Sequence, residues 1–342
     1  MRRAVFYNPA MALDRDLSVA VARAWSDRTG RRLRAWEMLS ATGVRGLRVL
    51  NESGALEALL LTEANPEACR WLERNAAPHP AATVRSADAR ELPPGSPFDV
   101  VDLDPYGTPA PFLPTAIAAT APGGLLAVTA TDMPVLAGVQ RTACEARYGA
   151  VPLHGHFGPE GGLRILIAHA LGAAARRGRS ARPVLAYVHD HHVRAYLALD
   201  REARPAEVAR LPGPGWAGPA LGEGPYGPMW VGPLFDAGFL RELRAPAGAA
   251  RAREVAALLD RFREESGADT PFYFEPNRIA GALGLSEPPG LAPLLTRLRE
   301  LGHAAARSHV RPSAFRTTAS EAVVFDVARL LAARRISSSP VR

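Results

Sequence analysis

Between residues 33 and 130 the chain alternates short apolar runs with helix-length patterns, and this alternation constrains the fold more than any other feature. Parallel strands cannot be joined by a tight turn, so each apolar run must be followed by a crossover, usually a helix. The runs predict strands at Leu33–Ala41, Ala58–Thr62, Thr83–Ser86, Asp99–Leu103 and Leu125–Thr129. The crossovers read as helices at Val44–Ser53, Pro66–Ala76 and Pro111–Ala121. A helix over Gly162–Arg176, a strand at Val184–Val188 and an antiparallel partner at Arg194–Leu199 complete the pattern. The expectation is an α/β fold: an open, doubly wound sheet of about seven strands, covered on both faces.

A chain of 342 residues exceeds the commonest single-domain size, so two domains are expected. Residues 212–233 are rich enough in Gly and Pro that neither helix nor strand is expected there, and they mark the boundary, giving domains 1–232 and 233–342. Beyond it come helical patterns at 236–244 and 250–266 and an aromatic run, Phe272-Tyr273-Phe274. Compact helices at Pro276–Leu283 and Leu291–Leu301, an alternating segment at Ala304–Thr317 and a last helix over Ser320–Ala333 follow. That order reads as a smaller, winged-helix-like α+β module. No internal repeat is detected, and the tail Ser337-Ser338-Ser339-Pro340 reads as disordered.

There is no run of about 18 apolar residues to span a bilayer, and the segment Met1–Pro9 lacks a secretion signal's apolar stretch. The chain is therefore expected to be cytoplasmic, with no membrane partner; no obligate protein partner is evident. Its two cysteines, Cys69 and Cys144, fit buried thiols rather than a disulfide, and a four-cysteine metal site is impossible. The net charge of +7 suggests a polyanionic partner. Residues 303–342 hold seven arginines against Glu321 and Asp326, a surplus of five. The sequence has no lysine, so arginine richness alone reflects compositional bias rather than RNA binding.

Ligands of open parallel sheets bind beyond the carboxyl ends of the strands. After the first strand comes Leu39-Ser40-Ala41-Thr42-Gly43-Val44-Arg45-Gly46, a turn of small residues that lets a ligand approach backbone and opens a helix, though it lacks the third glycine of the dinucleotide pattern. Glu63, twenty residues after Gly43, is placed to accept hydrogen bonds from ribose hydroxyls; capping the helix that starts at Pro66 is the competing reading. Asp88 with Ala89 either holds an adenine amino group or starts a turn. In this order, the three favour an adenosyl cofactor. After the fourth strand, Asp104-Pro105-Tyr106 carries the chemistry of exocyclic-amine methylation. The amine's lone pair is delocalised into the base; a carboxylate and a carbonyl accepting its two N–H bonds would localise it, and an aromatic face would fix the ring. A plain Asp-Pro turn before the next helix is the alternative.

Six blocks together resemble one family: Val5–Asp16, Leu39–Arg48, Asp102–Pro109, Thr129–Asp132, Gly227–Leu234 and Arg307–Ser313 are similar to the tRNA guanine-26 N2-dimethyltransferases. The resemblance runs through nearly the whole chain and implies a class I, Rossmann-like methyltransferase domain followed by a C-terminal domain that helps hold tRNA. It implies S-adenosylmethionine as cofactor and S-adenosylhomocysteine as product. By similarity, Arg15 and Arg45 contact the cofactor's amino-acid end, Glu63 its ribose, and Asp88 with Ala89 its adenine. Asp104 is then the catalytic residue with Pro105, and Phe6 and Tyr106 sandwich a guanine turned out of the stack. Arg307, Arg311 and Arg316 are expected to contact phosphates. Another base amino-methyltransferase shares the Asp-Pro-aromatic chemistry but does not account for the blocks around Trp230 and His309. A relative that binds without reacting is opposed by the intact Arg15, Arg45, Glu63, Asp88 and Asp104.

The chain departs from the family at three places. Many members carry a four-cysteine zinc cluster near the Gly-Pro-rich block, where this chain has no cysteine after Cys144; zinc is not expected, and Trp216, Tyr226 and Trp230 are left to order the region. Asp14 stands where the arm motif has Asn. His189-Asp190-His191-His192 replaces an Asp-His-aromatic turn; no metal is expected there, because a turn does not guarantee convergent ligands.

Overall fold

The computed structural model describes residues 8–202, 204–213 and 215–338. A short 3-10 turn leads into α1 (Ala12–Thr29), followed by β1 (Leu33–Glu37), α2 (Val44–Ser53), β2 (Leu56–Glu63), α3 (Pro66–Ala76), β3 (Ala82–Ser86), β4 (Phe98–Leu103), α4 (Leu113–Ala119) and β5 (Thr120–Ala130). Two short helices, α5 (Met133–Leu136) and α6 (Arg141–Tyr148), precede α7 (Gly158–Ala175), β6 (Ala181–His189) and β7 (His192–Leu199). The seven strands lie in the order β3-β2-β1-β4-β5-β7-β6. The pairings among β1 to β5 are parallel, whereas β7 is antiparallel to both neighbours. Strand order reverses between β1 and β4, opening the crevice where such sheets bind ligands. Helix α2 packs on α1 and β2, and α4 on α7 and β4, so both faces are covered.

Helices α2 and α3 match the sequence expectation residue for residue. Pro66 supplies the first turn of α3, and the Asn65 side chain accepts the Glu67 N–H, two ordinary N-terminal devices. β1 ends at Glu37 rather than Ala41, because the chain turns to start α2: Ala41 takes φ 47° and donates its N–H to Glu63 at 2.8 Å. Helix α1 gave no periodic signal. Twelve of its residues are buried, including Asp14, Arg15 and Asp16, so no polar face alternates with an apolar one.

The Gly-Pro-rich segment holds more structure than expected. β8 (Val208–Leu211) pairs antiparallel with β9 (Tyr226–Trp230), and Gly227 exchanges backbone hydrogen bonds with Val151 at 2.7 and 2.8 Å. Trp216 and Trp230 donate their indole N–H to the carbonyls of Pro219 and Pro233 at 3.0 and 2.9 Å, so aromatic rings do order this region.

The remaining elements are α8 (Ala237–Glu242), α9 (Ala252–Ser266), α10 (Pro276–Leu283), α11 (Leu291–Glu300), β10 (Ala305–Arg307), β11 (Phe315–Thr317) and α12 (Glu321–Ser338). Helix, helix, hairpin and helix follow in the expected order, although α12 runs on to Ser338, through two residues expected to be disordered. The core of the main sheet extends through Phe262 and Tyr273, and a separate apolar cluster gathers Phe274, Ile279, Leu294, Leu298, Phe315 and Val324. Among the described residues no helix is long and apolar enough to cross a membrane.

Candidate active site

At the carboxyl ends of β1 and β4 lies a cleft whose lining includes Asn8, Arg15, Ser40, Thr42, Arg45 and Asp104. It unites residues from α1, the turn after β1, and the end of β4. Small side chains over Ser40–Gly43 leave backbone accessible, and Gly43 takes φ +74° at the N-terminus of α2, a conformation that favours glycine. Arg15 is 5% exposed and its guanidinium donates to the Asn8 carbonyl at 3.1 Å.

Asp104 and Asp102 emerge two residues apart from β4, and each meets an arginine. Arg45 donates to Oδ2 of Asp104 at 2.5 Å and to Ser18 Oγ at 2.9 Å. Arg194, fully buried in β7, holds Asp102 through both carboxylate oxygens at 2.6 and 3.2 Å, and reaches Thr129 Oγ1 at 2.5 Å. Burial would raise the Asp104 pKa, but Arg45 and Arg194 override it and hold the carboxyl below its ordinary value, so it is ionised at neutral pH. Glu37, at the end of β1, goes the other way: burial, reinforced by the Asp102 and Asp104 charges, pushes it up to about 8 despite Arg45, and it is mostly protonated at pH 7. Two guanidiniums thus face Asp102, an ionised Asp104 and a largely neutral Glu37. Glu37 and Arg194 were missed in the sequence. The legible signal for Arg194 was an arginine inside the otherwise apolar run Val193–Leu199; a buried charge is rarely without a role.

Glu63 closes the gap between β1 and β2, accepting the N–H groups of Ala41 and Asn65 at 2.8 Å each. Asp88 accepts the Arg90 N–H at 2.8 Å and pairs with its guanidinium, which lowers the carboxyl to about 2; Ala89 beside it is buried. Neither Asp88 nor Ala89 lines the cleft at Asp104. Pro105 is buried, whereas Tyr106 is 91% exposed. Gly107 at φ +92° turns the chain there, donates to Thr131 Oγ1 at 2.6 Å and accepts the Thr131 N–H at 3.0 Å, so β5 anchors the segment that presents Tyr106. Phe6 lies outside the described residues.

The three C-terminal arginines differ. Arg307 is exposed at the end of β10, and Arg311, partly exposed, reaches the Tyr273 hydroxyl at 3.2 Å. Arg316 is fully buried, which corrects the expectation that it contacts phosphate. It pairs with Glu160 through two bonds of 2.9 Å, with Glu265, and with the carbonyls of Thr270 and Phe272 at 2.7 and 3.0 Å. Glu160 also takes Arg164 at 2.7 Å, and Glu265 takes His309 Nδ1 at 2.7 Å. His309 Nε2 accepts the Val188 N–H at 3.2 Å, so the block Arg307–Ser313 docks on the edge of the main sheet. An alternating hairpin pattern says which arginines share a face, not which face is covered.

Known proteins resemble this chain over most of its length. The model of a family described as N2,N2-dimethylguanosine tRNA methyltransferase matches residues 1–210 and 222–329. The chain is 35% identical to the tRNA (guanine(26)-N(2))-dimethyltransferase of Thermococcus kodakarensis, over 94% of this chain and 92% of that protein. It is 34% identical to the enzyme of the same name from Pyrobaculum arsenaticum, over 96% and 92%. Among solved structures, Trm1 from Pyrococcus horikoshii in complex with S-adenosyl-L-methionine superimposes with a TM-score of 0.81 at 28% identity, covering 94% of both chains.

Proposed function

Because the chain belongs to the N2,N2-dimethylguanosine tRNA methyltransferase family, we propose a division of labour among the residues of its cleft. The enzyme transfers methyl groups from S-adenosylmethionine to the exocyclic N2 of guanine 26 in tRNA. The observation that carries our assignment of residues is the meeting of Arg15, Arg45 and an ionised Asp104 in one cleft at the switch point of the sheet.

The residues present fit the cofactor. Two guanidiniums face the place its carboxylate would take, Glu63 stands at the end of β2 for the ribose hydroxyls, and Asp88 with Ala89 follows β3 for the adenine. When bound, the cofactor supplies an electrophilic methyl group. Asp104 accepts one N–H of the guanine amine and the Pro105 carbonyl the other, drawing the lone pair out of conjugation with the ring; general-base assistance of this kind contributes about 10²–10⁴-fold. Arg45 keeps Asp104 ionised for that task. Tyr106, and Phe6 from the arm, sandwich the flipped base. The C-terminal module, whose separate apolar core begins at Phe274, holds the tRNA through the exposed Arg307 and the partly exposed Arg311. The enzyme works in the cytoplasm.

The test is to incubate unmodified tRNA with labelled cofactor and analyse the nucleosides. Label is expected in N2-methylated and N2,N2-dimethylated guanosine at position 26. Label in N6-methyladenosine, or none, would count against the assignment.

A further inference from the structure

The sequence offered His189 and His192 as a turn without convergent geometry. Folding supplies the missing member, because the first turn of α1 carries Asp14 to the β6–β7 turn, which lies at the same end of the sheet as the cleft. One ligand atom from each of Asp14, His189 and His192 lies within 4.8 Å of the others. Asp14 is fully buried, and its Oδ2 makes no hydrogen bond. Nδ1 of His189, also buried, makes none either, and the two atoms stand 3.5 Å apart. Two ligands of one tetrahedral zinc, with bonds of about 2.0–2.1 Å, are about 3.3 Å apart, so the gap suits atoms that share an ion better than a donor and its acceptor.

We propose that Asp14, His189 and His192 bind one divalent cation of the zinc class, which ties the first turn of α1, and hence Arg15, to the β6–β7 turn. His192 contributes Nε2, now 2.8 Å from Asp14 Oδ1. His189 contributes Nδ1 and Asp14 a carboxylate oxygen. The second shell is in place: the Tyr187 hydroxyl donates to Asp14 Oδ1 at 2.8 Å and fixes the carboxylate. With His189 at 23% side-chain exposure, a water completes the fourth position from the solvent side. Two imidazoles and one carboxylate are a donor set that zinc-class ions accept and that hard cations such as magnesium, which prefer oxygen, do not.

The experiment titrates the chelator-treated, untagged chain with cobalt(II) and then zinc(II), followed by calorimetry, visible absorption and thermal unfolding. We expect one equivalent of cobalt with the intense ligand-field bands of a four-coordinate ion, their loss on adding zinc, and a higher unfolding midpoint in the loaded protein. Asp14→Asn, nearly isosteric, and His189→Ala, at a partly exposed position, should each weaken uptake at least tenfold while circular dichroism shows the fold retained. His191→Ala should bind as the parent does. Absence of uptake at equimolar metal, or uptake that survives both Asp14→Asn and His189→Ala, overturns the proposal.

Discussion

The cluster around Arg316 and the cluster around Arg45 use the same buried chemistry to different ends. Around Arg316 the two acids it holds are closed in: Glu160 and Glu265 are fully buried, the Thr270 and Phe272 carbonyls take further donors, and Arg164 and His309 also bind the acids. Around Arg45 the cluster opens at one corner, where Asp104 keeps 22% of its side chain exposed, and it contains an acid, Glu37, that burial pushes up to about 8. A closed network locks two parts of the fold together, whereas the open one leaves a charged carboxylate at the edge of a cleft. The contrast follows from desolvation, since a buried charge is tolerated only when fully paired, and an incomplete set persists where a substrate completes it.

The comparison breaks first at Asp104. Asp104→Ala is expected to lower methyl transfer by about 10³-fold while changing the cofactor dissociation constant by less than about tenfold. Equal loss of both, in single-turnover and calorimetric measurements, would place Asp104 on the cofactor instead. Arg316→Met should destabilise the fold by about 3–5 kcal/mol in urea unfolding, because it strands Glu160 and Glu265 without their shared cation. A loss under about 1 kcal/mol, with weakened tRNA binding, would return Arg316 to the phosphate surface.

Glu37 sharpens the contrast through pH. Its folded-state pKa, about 8, lies above the ordinary carboxylate value, so between pH 5 and 8 the native state binds more protons than the unfolded one, and this group costs stability as pH rises. Glu37→Gln should therefore be more stable than the parent at pH 7, on the order of 1–3 kcal/mol, with the difference growing from pH 5 to 8 and level above. A pH-independent difference would mean that Glu37 is ionised in the fold. The smallest effect belongs to the exposed arginines. Arg307→Ala and Arg311→Ala should each reduce the slope of log affinity for tRNA against log salt by about 1, and shift stability by no more than about 0.5 kcal/mol. An unchanged slope moves the tRNA surface elsewhere.

Much of this was legible in the chain because the signals are local. Pro66 after Asn65 started α3 where expected, and Asp104-Pro105-Tyr106 after an apolar strand marked the end of β4. What escaped had no local mark. Helix α1 is buried on nearly every side, β9 hid in a Gly-Pro-rich stretch, and Arg316 shares its hairpin with the exposed Arg307.

By itself the sequence determined the strand and crossover order, the turns that follow the strands, and the family, since periodicity, glycine and proline act over a few residues. Only the tertiary structure decided which charges meet. Arg194 lies 92 residues from Asp102, Arg316 156 residues from Glu160, and His192 178 residues from Asp14. The strength and sign of each pairing depend on burial and on distances that no spacing along the chain encodes.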